Sequence, residues 1–541
     1  MATTPGVLTT LGIRVLARRM RLPAPDTNFR VERDLPVPMR DGVVLLADRY
    51  IPPTAPVGTV LMRGPYGRRG LPVEMLTGLY AAYGYHVVLQ STRGSFGSGG
   101  QFDPGRHEVD DGADTVAWLR AQPWFDGRFA TVGSSYMGFT QWALLVDPPP
   151  ELTTAAIVMG PHDFGEIMWG TGAFALRDAL GWNFQVARQE TGGTFRRLAR
   201  TVTTSWLLRD ELRTLPVGDV GKGVLAGGAP WHRSWIEHPD PSAEYWRLGR
   251  VSAALDEASV PILLVSGWQD VFLDQTLQQY RRLRDRDVDV TLVVGPWTHS
   301  DGGGQTTRAC LKWLRSSFAG AGNASPAVRV FVAGSGWRDL AQWPPPAHDR
   351  TFFLHPGSEL AEEAPAPNAP PSSFVYNPAD PTPTIGGRLL SGGSGYHDDS
   401  ALAARSDVAV FTSPVLTGDV EVIGTPRVEL THSVDTASAD VFVRVSDVDE
   451  RGRSRNVGDG YRRLDPGVPG HLRIDLDPVA HRFPVGHRIR LTVAGGSYPR
   501  FSRNLGTGEP ALTATRFVRA THTVAHGEGG LSRLLLPVSA L

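Results

Sequence analysis

Apolar and polar residues alternate from Val31 to Tyr50, and an Asp-Gly turn signal interrupts them at Met39-Arg40-Asp41-Gly42-Val43, so this stretch is predicted to be a β-hairpin. Short apolar runs follow at Gly58 to Met62, His86 to Gln90, Phe129 to Val132, Ala155 to Met159, Ile262 to Val265 and Val290 to Val294. Stretches with helical spacing lie between them, and that rhythm predicts a mostly parallel sheet covered by helices. One such helix is expected over His107 to Gln122, where Ala113, Val116, Ala117 and Leu119 recur among carboxylates.

The rhythm breaks between about Pro161 and Arg250, where strand signals vanish, and a largely helical insertion, a cap, is expected there. Six of the 14 tryptophans fall in it: Trp169, Trp182, Trp206, Trp231, Trp235 and Trp246. They have two uses open to them, packing the cap's own core or, for one or two, walling an apolar pocket above the sheet. Trp169, Trp268 and Phe272 are the candidate pocket residues. A second break, Glu359 to Pro383, is rich in Pro, Ala, Asn and Ser and is expected to be a linker or a surface crossing. Alternating runs then return at Arg427 to Thr431, Val441 to Val445, Leu472 to Leu476 and Arg488 to Val493, separated by turn residues, which predicts an antiparallel β-sandwich.

A chain of 541 residues is long enough for two or three cores. The expected division is an amino-terminal segment at 1–30, an α/β domain at 31–160 and 251–350, the cap at 161–250 and the sandwich at 351–541. With 54 basic against 55 acidic residues there is no field to hold nucleic acid. No run is long enough to span a membrane. Met1 to Pro5 carries no positive charge of the kind that opens an export signal, and the single cysteine, Cys310, requires no oxidising compartment, so a cytoplasmic location is expected. The apolar run Gly6 to Ile13 is followed by Arg14, Arg18, Arg19 and Arg21, and Gly6 to Met20 is expected to be a helix docked on the body of the protein, with a basic helix at a membrane surface as the alternative.

Candidate chemistry begins where the strand Phe129 to Val132 runs into Gly133-Ser134-Ser135-Tyr136-Met137-Gly138 and a helical stretch, Phe139 to Val146. Strand, tight glycine turn and helix make a nucleophile elbow, which lifts a serine to the carboxyl edge of the sheet beside a helix amino terminus. Ser135, two positions after the first glycine, is preferred over Ser134. The second glycine comes one residue later than usual, with Met137 in its place. Asp270 follows the strand Ile262 to Val265, and His299 follows Val290 to Val294, so serine, acid and histidine appear in the chain order of an α/β-hydrolase and all stand beyond strand ends. A serine hydroxyl needs a base to remove its proton; His299 fits that task, and Asp270 would hold the imidazole. An oxyanion would be met by the Tyr136 backbone N–H and a second donor from the loop holding Tyr66.

These signatures together resemble the cocaine esterase and X-Pro dipeptidyl-peptidase group of serine hydrolases. The resemblance spans most of the chain and includes Val37 to Val43, Arg63-Gly64-Pro65-Tyr66, Ser91-Thr92-Arg93-Gly94, Gln122-Pro123-Trp124, Gly133 to Gly138, Gly295-Pro296-Trp297-Thr298-His299, Asn377 to Pro381 and Phe501-Ser502-Arg503-Asn504. It implies an α/β-hydrolase domain with an inserted helical cap and a jelly-roll-like carboxyl-terminal domain, and it implies that the Tyr66 hydroxyl is the second oxyanion donor. The expected substrate is a small ester or amide, with an apolar or aromatic acyl group favoured because only Asp274 lies near Asp270 to hold an ammonium. Dipeptidyl-peptidase, amino-ester and acyltransferase activities on the same scaffold stay open, as does, more remotely, a non-catalytic binding protein. The 15 histidines are scattered and no His-Glu-x-x-His occurs, so neither metal nor cofactor is expected.

Overall fold

The computed structural model describes residues 2–190, 208–320, 327–464 and 470–539. Strands β1 (Arg30–Pro38) and β2 (Val44–Ile51) form the antiparallel hairpin, closed where the Gly42 N–H donates to the Met39 carbonyl at 3.0 Å. They lead into β3 (Gly58–Gly64), β4 (Tyr85–Ser91), β5 (Phe129–Ser134), β6 (Leu152–Val158), β7 (Ile262–Gln269), β8 (Val290–Thr298), β9 (Val328–Val332) and β10 (Gly336–Leu340). The sheet order is β1-β2-β4-β3-β5-β6-β7-β8-β9-β10, parallel from β4 to β9 and antiparallel at its two edges.

Every residue of β3, β4 and β7 is buried, which is why these strands read as unbroken apolar runs. The period of two still sorts their side chains between two cores. Leu61, Val88, Phe129 and Leu264 face one, with helices α3 (Glu108–Arg120) and α4 (Tyr136–Leu144) on that side. Val60, Val87, Ala130 and Leu263 face the other, covered by α1 (Val7–Arg19), α2 (Leu71–Ala82) and the helix Gly303–Phe318.

Between β6 and β7 the chain leaves the sheet as the cap, which includes α5 (Phe164–Trp169), α6 (Leu176–Arg188) and the helix Trp231–Glu237. The Asp163 side chain caps α5 by accepting the Glu166 N–H at 3.1 Å. Trp169, Trp231, Trp235 and Trp246 are buried in it and Trp182 is partly buried; Trp206 lies outside the described residues.

The last third is a β-sandwich, almost wholly antiparallel, around Leu354, Val443, Val445, Leu491 and Val524. The tract expected as a linker lies inside it. Strands Glu359–Ala361 and Ser372–Tyr376 pair with Ala347–His355 and Ala520–Val524, and Leu360, Phe374 and Tyr376 are buried. Few apolar residues suffice there because neighbouring strands satisfy the backbone and supply the rest of the core. The first sandwich strand, Ala347–His355, straddles the expected boundary at 350.

The sandwich is clamped to the other two parts. Buried Arg388 forms a bidentate pair with Asp274 (2.9 and 2.7 Å) and also bonds Asp477. Two backbone bonds, Ser502 N–H to the Phe174 carbonyl (2.8 Å) and Arg463 N–H to the Thr171 carbonyl (2.9 Å), tie it to the cap.

Six buried histidines shape the acid stability of this fold. Burial holds His86, His162, His232, His432 and His526 down to about 4, and burial with the neighbouring His432 holds His522 down to about 3. His432 and His522 meet ring to ring, Nε2 to Nδ1 at 3.0 Å. An unfolded histidine titrates near 6.5, so the unfolded chain binds more protons below that value; stability is complete above about pH 6.5 and falls as pH drops toward 4. The expected slope is up to about 1.4 kcal/mol per pH unit for each. Denaturant midpoints should therefore fall steadily through this window, and a midpoint constant across it would contradict the assignment.

Candidate active site

The strand β5 ends at Ser134, and the next residue turns the chain with φ +60° and ψ −126°, a left-handed conformation that costs a non-glycine residue energy. That residue is Ser135, and α4 begins directly after it. The strain is held by packing. The Ser135 N–H donates to the Val158 carbonyl on β6 at 3.0 Å, and its own carbonyl accepts from Gly138 and Phe139. A Cβ at Gly138 would lie 2.5 Å from the Gly160 Cα, so the displaced second glycine is where α4 presses on the chain leaving β6. Met137, in the usual glycine position, fills the space above Gly64 and Gly133, where a Cβ would meet its side chain at 2.5 Å.

Asp270 and His299 stand one residue beyond β7 and β8. The structure brings the three side chains together: His299 Nε2 lies 3.0 Å from Ser135 Oγ, and His299 Nδ1 lies 2.7 Å from Asp270 Oδ1. Asp270 is fully buried, and its other oxygen accepts the Ser266 hydroxyl at 2.9 Å. The Phe272 ring meets the His299 imidazole edge-on at 5.1 Å.

The hydroxyl of Tyr66, in the loop after β3, sits 3.4 Å from Ser135 Oγ and accepts the Trp182 indole N–H at 3.5 Å. Burial raises the Tyr66 hydroxyl above its ordinary value, so it stays a neutral donor. Tyr136, whose N–H opens α4, is anchored by its own side chain: its hydroxyl accepts the Gly105 N–H and donates to Glu108, each at 2.9 Å. Glu108 is in turn paired with buried Arg63 at 3.2 Å, and burial pushes its carboxyl up.

Above the serine lies a narrow cleft walled by Phe164, Ile167, Met168, Trp182, Trp235 and Phe272, with Leu390 contributed by the sandwich. Two of the candidate wall residues lie elsewhere. Trp169 is turned into the cap core, donating to the Trp235 carbonyl at 2.8 Å and packing on Phe174. Trp268, at the end of β7, donates to the Phe331 carbonyl at 2.6 Å and packs on Trp343, away from the cleft. Trp182 and Trp235 hold the wall instead, stacked nearly parallel at 6.0 Å.

Sequence reading missed Asp178. This α6 carboxylate lines the cleft, is 8% exposed, and accepts the Leu390 N–H at 3.0 Å. It forms no ion pair among the described residues, and burial raises its carboxyl. Asp274, the acid nearer in sequence, is committed to Arg388. The signal in the chain was a single acid among apolar residues in Leu176–Arg188, which a solvent-facing helix would also show.

A serine, histidine and aspartate in relay at the carboxyl edge of an open parallel sheet define the α/β-hydrolase class of serine hydrolases. Residues 41–301 match the X-Pro dipeptidyl-peptidase (S15) family, and residues 319–535 match the X-Pro dipeptidyl-peptidase C-terminal non-catalytic domain. The chain is 30% identical over 577 residues to cocaine esterase from Rhodococcus sp. (strain MB1 Bresler), covering 95% of this chain and 99% of that one. Its fold is similar to an α-amino acid ester hydrolase (TM-score 0.81, 22% identity, 96% and 98% covered) and to an aminopeptidase from a marine sediment Thaumarchaeota archaeon (TM-score 0.81, 22% identity, 95% and 96% covered). The chain belongs to the cocaine esterase and X-Pro dipeptidyl-peptidase family, and it is a serine hydrolase of ester or amide acyl bonds.

The anchor of Tyr136 is open to test. Tyr136→Phe keeps the backbone N–H but strands the Gly105 N–H and the Glu108 carboxyl, and it should cost about 1–3 kcal/mol in denaturant unfolding. Unchanged stability would show that the hydroxyl holds nothing.

Proposed function

We propose that this hydrolase cleaves small carboxylic esters with an apolar or aromatic acyl group through an acyl-enzyme on Ser135. The observation that carries the reading is the aromatic cleft directly above Ser135 Oγ, whose walls are almost entirely apolar. Ser135 Oγ gives its proton to His299 Nε2 as it attacks the ester carbonyl, and Asp270 stabilises the imidazolium that forms. The carbonyl oxygen gains negative charge between the Tyr66 hydroxyl and the Tyr136 N–H, with the α4 dipole behind it. His299 then protonates the departing alcohol, and water attacks the acyl-enzyme by the same route in reverse. No step draws on a metal or cofactor. The cytoplasm is the compartment proposed for it, in keeping with one buried, unpaired Cys310, and the balanced net charge argues against nucleic acid as a partner.

A fluorophosphonate probe should label the wild type and not Ser135→Ala, whose rate on p-nitrophenyl esters should fall by about 10⁴-fold or more. Tyr66→Phe should lose about 10²–10³ in kcat with KM little changed, because the hydroxyl is needed only once the oxyanion forms. Undiminished labelling of Ser135→Ala would move the nucleophile to another residue.

Asp178 favours a second reading, in which the acyl group carries an ammonium that this carboxylate receives. The two are separated by a matched pair, the p-nitrophenyl esters of valine and of isovalerate. The apolar reading expects isovalerate to have the higher kcat/KM, with Asp178→Asn changing the ratio little. A preference for the valine ester, abolished in Asp178→Asn, would replace it.

A further inference from the structure

Helix α1 presents two apolar faces, and only one of them is used inside the protein. Thr9, Ile13 and Ala17 are buried against the body of the enzyme, and the fit is close: a Cβ at Gly12 would lie 2.2 Å from the Met75 sulfur on α2. The opposite face carries Val7, Leu8, Leu11 and Val15, which are 84%, 69%, 57% and 44% exposed. At 100° per residue these four share one arc of the helix. Arg14 and Arg19 flank the stripe, Arg18 closes its carboxyl end, and all three are exposed.

The charge around this stripe is one-sided in a chain that is otherwise balanced. No Asp or Glu precedes Asp26, while Arg14, Arg18, Arg19 and Arg21 fall within the same segment. Among the described residues Arg14 bonds only the Thr27 hydroxyl, and Arg18, Arg19 and Arg21 form no ion pair with any carboxylate. Apolar side chains ringed by unpaired arginines match an anionic lipid surface, where the stripe sinks among acyl chains and the guanidinium groups meet phosphates. A second copy of the chain is a poor match, because it would bring the same arginines to the contact and no carboxylate from this segment to pair them.

We propose that the outward face of α1 docks this enzyme reversibly on anionic membranes, with Val7, Leu8, Leu11 and Val15 inserted and Arg14, Arg18 and Arg19 on the headgroups. The helix lies on the surface and does not cross it; no helix among the described residues is long and apolar enough to span a membrane. Docking of this kind holds the enzyme where apolar esters partition. The inference rests on the geometry of α1 alone and is independent of the substrate assigned above.

Flotation of the full-length protein with vesicles tests it, using phosphatidylcholine alone and phosphatidylcholine mixed with phosphatidylglycerol, at low and high salt. Binding is expected on the anionic vesicles at low salt, with loss at high salt and little on phosphatidylcholine. Arg18→Gln with Arg19→Gln should weaken it about twenty-five-fold, at about fivefold per arginine. Leu8→Ser with Leu11→Ser should weaken it tenfold or more, on the order of the apolar transfer lost. Hydrolysis of a soluble p-nitrophenyl ester, unchanged in both variants, verifies that they are folded. Failure of the wild type to float with anionic vesicles, or equal flotation of wild type and both variants, would overturn the proposal. So would a concentration-dependent dimer abolished by Leu8→Ser with Leu11→Ser, which would assign the stripe to a second copy.

Discussion

The geometry of the whole site depends on one strained residue. Ser135 is held at φ +60° between β5 and α4, and nothing in its own chemistry favours that conformation. It persists because α4 is pressed onto the sheet on several sides: Gly138 against Gly160, Met137 over Gly64 and Gly133, and the Ser135 N–H on Val158. Each contact depends on a neighbouring strand being in register, so the elbow exists only as part of the finished sheet. In return the hydroxyl projects from the carboxyl edge, and the first N–H groups of α4 point to where an oxyanion would form.

The other groups reach that point from independent parts of the fold, each fixed by its own buried support. Asp270 is held by Ser266 of β7, Tyr66 takes the Trp182 indole N–H from the cap, and the Tyr136 ring is anchored through Glu108 to Arg63. The sandwich closes the arrangement with Leu390, and Arg388 fixes its position by gripping Asp274 on the helix that follows Asp270. A buried arginine shared between two carboxylates has a large desolvation cost, and breaking it by removing one partner leaves uncompensated charge, so the docking of the sandwich is specific. The pocket therefore draws on three parts of one chain.

Much of this was legible in the residues. The apolar runs marked the parallel strands because strands buried on both faces must be apolar throughout, and the turn chemistry of Asp41-Gly42 and Gly133 to Gly138 located the hairpin and the elbow. Asp270 and His299 were legible as candidates because the functional loops of an open parallel sheet gather just past its strand ends, and the structure brings both to Ser135. The helix at Gly6 to Met20 was legible too, but its two apolar faces were not, since the sequence does not say which face the body of the enzyme covers.

What the residues alone determined, then, was local and periodic: the class of fold, the elbow, and the chain order of Ser135, Asp270 and His299 beyond their strand ends. Only tertiary structure decided which tryptophans wall the cleft, because Trp169 and Trp182 lie on adjacent cap helices and differ in direction, not in character. The same holds for Asp178 against Asp274, where the nearer acid in sequence is spent on Arg388 and the farther one faces the cleft. It holds also for the Glu359 to Pro383 tract, whose strand Ser372–Tyr376 forms through pairing with residues more than a hundred positions away. Side-chain direction and long-range pairing are set by how elements pack, and the energy that selects among the alternatives comes from burial and hydrogen bonds between segments remote in the chain.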